Sequence, residues 1–205
     1  MTIATSEIEA DTSDSKIVDN AQRAGVDVPC LHGFAAKTFH SSEDIPREIA
    51  HSFLLEYIAT QAEVYERVNG APVDAQAHIE AFWMNIDKVV PPQGSYYLVW
   101  SDKGELVGTG ALRRADESTG EMKHLYVRPK ARGTGLGRWL VEQRIRDARA
   151  MGLKSVIADT LRGNVEMPAL YAKLGFFEEQ PNHSGASLTL MPHLASALRF
   201  FRMEL

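Results

Sequence analysis

The sequence predicts a single α/β domain on a mixed sheet. Three observations carry this. The chain has 205 residues, enough for one well-packed core. Helical periodicity comes first, then strands joined by short polar turns, and only then a strand–helix–strand alternation. A glycine-rich turn marks that change of pattern, between a strand and a helix.

The elements follow in chain order. Met1 to Ser15 reads as a polar tail rich in Ser, Thr, Asp and Glu. Lys16 to His40 gives no clear pattern beyond a short helix and a strand within KIVDNAQRAGVDVPC, so residues 1–40 are set apart as tail and extension, with the domain over 41–205. The run KIVDNAQRAGVDVPC faintly echoes the approach to a ferredoxin cluster, but four ligands are needed and Cys30 stands alone. Pro46 suits a first helical turn, after which Ile49, Phe53 and Tyr57 recur every four residues. A second helix starts near Val73 or Asp74, places Ile79, Phe82, Ile86 and Val89 on one face, and stops at Pro91-Pro92.

Strands come next. Tyr96 to Trp100 is followed by the hairpin turn Ser101-Asp102-Lys103-Gly104 and a second strand, Leu106 to Arg113. Gly108 and Gly110 inside that strand predict a bulge or a close backbone approach. Ala115 to Gly120 turns the chain into a third strand, Glu121 to Val127. A helix then carries Leu136, Leu140, Val141, Ile145 and Ala148 on one face. Ser155 to Asp159 is a buried strand, and Pro168 to Leu174 a short helix stopped by Gly175. Phe176-Phe177 opens another strand, Gln180 to Ala197 is irregular, and Leu198 to Leu205 closes the sheet.

Composition narrows the function. Hydrophobic residues make up 44% and charged residues 24%, as in ordinary globular proteins. A net charge of −5 lacks the basic surplus of a nucleic-acid binder. No apolar run spans a bilayer, and the acidic N-terminus has no signal-peptide pattern. A single cysteine excludes an internal disulfide and fits a reducing cytoplasm. His183 and His193 lack metal-ligand spacing, so no metal is assigned. Trp83, Trp100 and Trp139 read as core or interface aromatics.

The turn Arg132-Gly133-Thr134-Gly135-Leu136-Gly137 suits an anion. Glycines let backbone N–H groups converge, and the following helix adds unpaired donors and its positive dipole end. Lys130, Arg132 and Arg138 add charge. No Gly-Lys-Ser/Thr ending makes it a Walker loop, and the G-x-G-x-G spacing is not a Rossmann fingerprint. The alternative is a tight turn with no ligand.

The stretch LYVRPKARGTGLGRWLVEQ resembles the signature of the GCN5-related N-acetyltransferase (GNAT) superfamily. Arg132, Gly135 and Gly137 match its Arg/Gln-x-x-Gly-x-Gly/Ala element. ALYAKLGF, Ala169 to Phe176, is similar to a second element downstream. Asn164 stands where many members carry an asparagine, and GELVGTGALRR, Gly104 to Arg114, resembles the preceding hairpin. The likeness spans about Tyr96 to Gln180, and the closing FFRMEL fits as well. Residues 1–95, where much of the family builds the acceptor pocket, match only as two helices.

That resemblance implies a mostly antiparallel sheet with helices on both faces and one splayed parallel pair, Glu121–Val127 and Ser155–Asp159. It implies acetyl-CoA as co-substrate and no metal. Backbone groups of Leu125, Tyr126 and Val127 would hold the pantetheine arm. Arg132, Gly133, Thr134, Gly135, Leu136, Gly137 and Arg138 would hold the pyrophosphate, with Asn164 nearby. Acetyl transfer to an amine needs a base, an oxyanion donor and an acid for the leaving thiolate. Glu121 is the base candidate: the histone-acetylating branch keeps a glutamate six residues before the end of this strand. A solvated hairpin-end glutamate is the alternative. Lys123 shares its side by alternation, His124 points the other way, and Asp159 stands in reserve. Tyr171 is the acid candidate, against a purely packing role. The backbone N–H of Leu125 is the oxyanion candidate.

The expected activity is therefore direct acetyl transfer from acetyl-CoA to a small-molecule or peptide amine, with neither nucleic acid nor membrane as partner and a homodimer as the assembly to test. Glu56, Tyr57 and Tyr65 are the candidates for an acceptor site. A non-catalytic acyl-CoA sensor or assembly module of the same fold is the alternative, and a transferase for a longer acyl group a third.

Overall fold

The computed structural model of the chain describes residues 24–69, 72, 74–181 and 195–205. The expectations for the tail, for Val73, for His183 and His193, and for most of the irregular stretch after Gln180 lie outside them. Eight strands among the described residues form one sheet: β1 Val26–Val28, β2 Phe34–Thr38, β3 Gly94–Ser101, β4 Leu106–Arg114, β5 Thr119–Val127, β6 Ser155–Leu161, β7 Phe177–Glu179 and β8 Leu198–Glu204. Their order is β1-β2-β3-β4-β5-β6-β8-β7. Only β5 and β6 run parallel; the other pairs are antiparallel. The segment left undefined before His40 supplies β1 and β2, which extend the sheet from β3.

Among the described residues four α-helices cover the sheet: α1 Arg47–Asn69, α2 Ala75–Met84, α3 Leu136–Ala150 and α4 Glu166–Leu174. Strand alternation sorts them onto two faces. Tyr96, Leu98 and Trp100 of β3 meet Phe53, Leu54 and Ile58 of α1 and Ile79 and Phe82 of α2. Tyr97 and Val99 point the other way, to Leu136, Trp139 and Leu140 of α3. Farther along that second face, Val141, Ile145 and Ala148 pack with Met122, Val156, Ala158 and Tyr171 of α4. The mixed sheet with helices on both faces is thus the expected architecture.

Boundaries moved where local chemistry overrode periodicity. Asp74 caps α2 by accepting from the Ala77 N–H, and the helix ends at Met84 instead of reaching Val89. A 3-10 turn, Ile86–Val89, carries the last apolar positions into the core. Gly108 and Gly110 do admit a close neighbour, helix α3. A Cβ on Gly108 would lie 3.2 Å from Leu136 Cδ2, and one on Gly110 3.3 Å from Arg144 Nε.

The sheet opens at one point. Pairing of β5 with β6 runs from Thr119–Ser155 to Met122–Ala158 and stops, although both strands continue. Just past that point β5 bulges. Thr109 pairs with Tyr126 and Ala111 with Lys123, so His124 and Leu125 stand opposite Gly110 alone. His124 takes φ +54°, an uncommon value for a residue with a Cβ. The bulge turns β5 away from β6 and leaves a fork between Lys123–Val127 and Asp159–Leu161.

Candidate active site

The fork leads to the glycine loop. Gly133 (φ +76°) and Gly135 (φ +92°) are left-handed, and Gly135 caps α3 with no side-chain hydrogen bond. No acidic residue occupies the first turn of α3. The positive helix end is therefore uncompensated, and its first N–H groups have no intrahelical partner. The Thr134 hydroxyl donates to Ala131 O at 2.8 Å and bends the loop. Gly137 has neither a positive φ nor a close neighbour, since a Cβ would come no nearer than 4.0 Å to Val127 Cγ2. Packing does not require glycine there, and the missing Cβ leaves the start of α3 open to an anion. Arg132 Nε donates to the Val127 carbonyl, and Arg138 pairs with Glu142 at 2.7 Å.

Along β5 the bulge decides which way side chains face. Met122 packs among α3 residues and Tyr126 among α1 residues, although two-residue alternation would put both on one side. The flip lies at His124, whose ring meets Tyr57 and Phe82 edge-on. His124 was expected opposite Lys123; the bulge instead turns it toward α1 and α2. Leu125 and Val127 face α3. The Tyr126 hydroxyl donates to Glu56, which also takes Arg128 at 2.6 Å. Of the helix residues proposed for an acceptor site, Glu56 is thus tied to the end of β5. Tyr65 is buried with Leu161, Leu198 and Phe200. Tyr57 lies at the fork, among His124, Tyr126 and Lys123.

Burial, with help from the Lys123 charge, lowers the His124 pKa from 6.5 to about 3. The folded protein holds this imidazole neutral while an unfolded chain would protonate it below pH 6.5. The contribution is complete above that pH and is lost as pH falls toward 3. The slope of Tm against pH across that window is expected to flatten in His124→Asn, which tolerates the positive φ. An unchanged slope would remove His124 as its cause.

Glu121 is 1% exposed. Its Oε2 lies 2.5 Å from Arg113 Nε and its Oε1 3.6 Å from Lys123 Nζ. Lys123 also approaches Asp159 Oδ2 at 3.5 Å. Burial pulls the Lys123 pKa down, but Asp159 and Glu121 outweigh it and hold the ammonium charged. Two carboxylates and two cations thus form a network around the buried Glu121 at the root of the fork, and Lys123, which shares its side of the strand, is one of its partners. Both oxygens of Glu121 already face cations.

Tyr171 is 3% exposed, its ring against Phe176 and Phe201 at 4.8 and 5.1 Å. Burial pushes its phenol above the ordinary value of 10, and the nearby Arg144 charge pulls it partly back. Gly175, at φ +92°, ends α4 just beyond it. Asn164 Oδ1 accepts from the N–H groups of Glu166 and Met167, both at 3.0 Å, and so starts the helix that carries Tyr171. The family resemblance puts Asn164 near the cofactor, and its side-chain oxygen caps the start of α4. Among the described residues no group of three or more His, Cys, Asp or Glu side chains could hold a metal ion. No described helix is long and apolar enough to cross a membrane.

Residues 58–176 match the model of the Acetyltransferase (GNAT) family. The chain is 38% identical over 86 residues to the IAA acetyltransferase of Azospirillum brasilense, covering 42% of this chain and 56% of that protein. It is 39% identical over 89 residues to the L-methionine sulfoximine/L-methionine sulfone acetyltransferase of Pseudomonas aeruginosa, covering 41% and 52%. These alignments span about half the length of those relatives. Identity to the uncharacterized N-acetyltransferase YjgM of Escherichia coli is 31% over 124 residues, covering 58% of this chain and 71% of YjgM. The fold is shared with a GNAT-family acetyltransferase from Staphylococcus aureus (TM-score 0.62, 20% identity, 83% and 99% of the two chains covered). It is also shared with the PaiA N-acetyltransferase of Thermoplasma acidophilum in complex with coenzyme A (TM-score 0.56, 14% identity, 83% and 99%).

Proposed function

The chain belongs to the GNAT acetyltransferase family, and on that premise we propose that it moves acetyl from acetyl-CoA to the amine of a small acceptor. One observation carries this reading: β5 leaves β6 after Met122, and the fork so formed runs to the start of α3, where the cap residue Gly135 has no side chain. Backbone groups of Leu125, Tyr126 and Val127 would lie along the pantetheine arm, and the loop from Arg132 to Arg138 would take the pyrophosphate. Acetyl-CoA supplies the activated acyl group; the chain supplies position, a proton and electrostatics. Tyr171 is the acid that protonates the departing sulfur.

Glu121 was the base candidate, and its burial between Arg113 and Lys123 supports a second role, an anchor that fixes those two cations. On the anchor reading, Glu121→Gln keeps the acidic limb of the pH–rate profile, lowers kcat less than tenfold, and destabilises the fold by about 3 kcal/mol, because Arg113 loses its counter-charge and Lys123 keeps only Asp159. Loss of the acidic limb would return the base role to Glu121. A buried, ion-paired Glu121 is also the observation that favours the non-catalytic sensor as the second reading.

For the acceptor, the relative named for L-methionine sulfoximine suggests a small amino-acid-like amine. Lys123 and Asp159 offer one charge for each end of such a zwitterion, with Tyr57 and His124 as an aromatic wall. A lone cysteine, Cys30, accords with a reducing cytoplasm. Calorimetric titration with acetyl-CoA tests the cofactor half. One site per chain is expected, with affinity falling as salt rises; absence of binding would overturn it.

A further inference from the structure

Arg144 sits at the middle of α3 and is 0% exposed. Guanidinium groups are almost never fully buried without a carboxylate, and no described carboxylate lies within salt-bridge reach of this one. Its donors go to backbone instead. Nε donates to Leu140 O at 2.9 Å, and Nη1 is shared between Ala111 O and Lys123 O, each at 3.3 Å. Those two carbonyls flank the β5 bulge, on β4 and β5. Room for the group comes from Gly110, where a Cβ would press on Nε and Cζ at 3.3 and 3.4 Å. Nη2 is buried and has no hydrogen-bond partner among the described residues. Such an atom is costly, and a cost retained beside a cleft marks a candidate functional group.

Its surroundings indicate what that group serves. Val141, Ile145 and Ala148 of α3, within four residues of Arg144 on either side, pack with Tyr171 and with Met122 of β5. Tyr171 and Arg144 are thus on one side of the sheet, at the fork. Arg144 is the strongest charge acting on the Tyr171 phenol.

We propose that Arg144 is a positioning residue for acetyl transfer, which locks the β5 bulge through the Ala111 and Lys123 carbonyls and lends its positive charge to the end of the fork where Tyr171 gives up its proton. This rests on the acid role given to Tyr171. In that step the carbon–sulfur bond breaks, its electron pair goes to sulfur, and sulfur takes the phenolic proton. The phenolate regains a proton from the solvent or from the newly formed ammonium nitrogen. A fixed cation beside the exchange favours both anions, sulfur and phenolate.

The test compares Arg144→Lys, which keeps the charge, with Arg144→Gln, which keeps donors for the carbonyls but not the charge. Arg144→Gln is expected to lower kcat about 30-fold and Arg144→Lys no more than about threefold. In the Tyr171→Phe background both are expected to cost less than about threefold, because the phenolate is no longer formed. A readout without turnover accompanies these. The thiol of bound CoA, titrated by thiolate absorbance, is expected to shift up by about half a pKa unit or more in Arg144→Gln and to stay in place in Arg144→Lys. Should Arg144→Gln not fold, Arg144→Met removes charge and burial cost together and serves the same arm. Equal loss in the Gln and Lys variants, or the same loss with and without Tyr171, would overturn the proposal. A Tyr171→Phe variant with wild-type kcat would instead sink the acid role beneath it.

Discussion

Gly135→Asp is expected to weaken CoA binding by about a hundredfold while α3 stays folded. Gly135 caps the helix at φ +92° and has no side chain to close the loop. Aspartate accepts left-handed backbone better than most residues, at an expense on the order of 1 kcal/mol, and is itself a good helix cap. The fold therefore has little reason to fail. A pyrophosphate, however, would meet a carboxylate where it should find N–H donors and the positive end of α3. Calorimetry with CoA measures the first effect and thermal unfolding the second. Unchanged affinity would remove the loop as the phosphate site.

Tyr171→Phe is expected to lower kcat by roughly 10²- to 10⁴-fold, the range for losing one general acid, and to change KM only a few-fold. The ring packs against Phe176 and Phe201 in both versions, so the substitution deletes a proton donor with little disturbance of the core. Burial holds the phenol protonated well past neutrality. The wild-type profile should accordingly show no alkaline limb from this group below about pH 10. A kcat that survives the substitution would leave Tyr171 as a packing residue.

Much of this architecture was legible because it obeys simple periods. Tyr96, Leu98 and Trp100 alternate with Tyr97 and Val99 down the two faces of β3, and Leu136, Leu140 and Ile145 repeat along α3. The glycine loop was readable because glycine is the residue most at ease at the left-handed positions 133 and 135. What escaped the sequence depends on contacts between distant segments. The bulge at His124 breaks the alternation that had assigned its direction, and no local signal marks it beyond Gly110 on the opposite strand. Glu121 reads as a base, or else as a solvated hairpin-end residue, until Arg113 and Lys123 are brought to it. Strands β1 and β2 are short and join the sheet only through β3, so periodicity had too few residues to work on. Arg144 did leave a trace. It falls at i+4 from Leu140 and i−4 from Ala148, in the middle of the apolar stripe, and a charge there is a reason to look for a buried role.

The central claim is acetyl transfer, and thiol release from acetyl-CoA tests it most directly. The measurement runs the full chain against panels of small amines, amino acids, polyamines and peptides, with the N-acetyl product identified by mass. The account predicts release of CoA matched one to one by an N-acetylated small amine, with Tyr171→Phe slow on the same acceptor. Tight acetyl-CoA binding with no acceptor-dependent thiol release across those panels would contradict it and leave a protein that holds the thioester without using it.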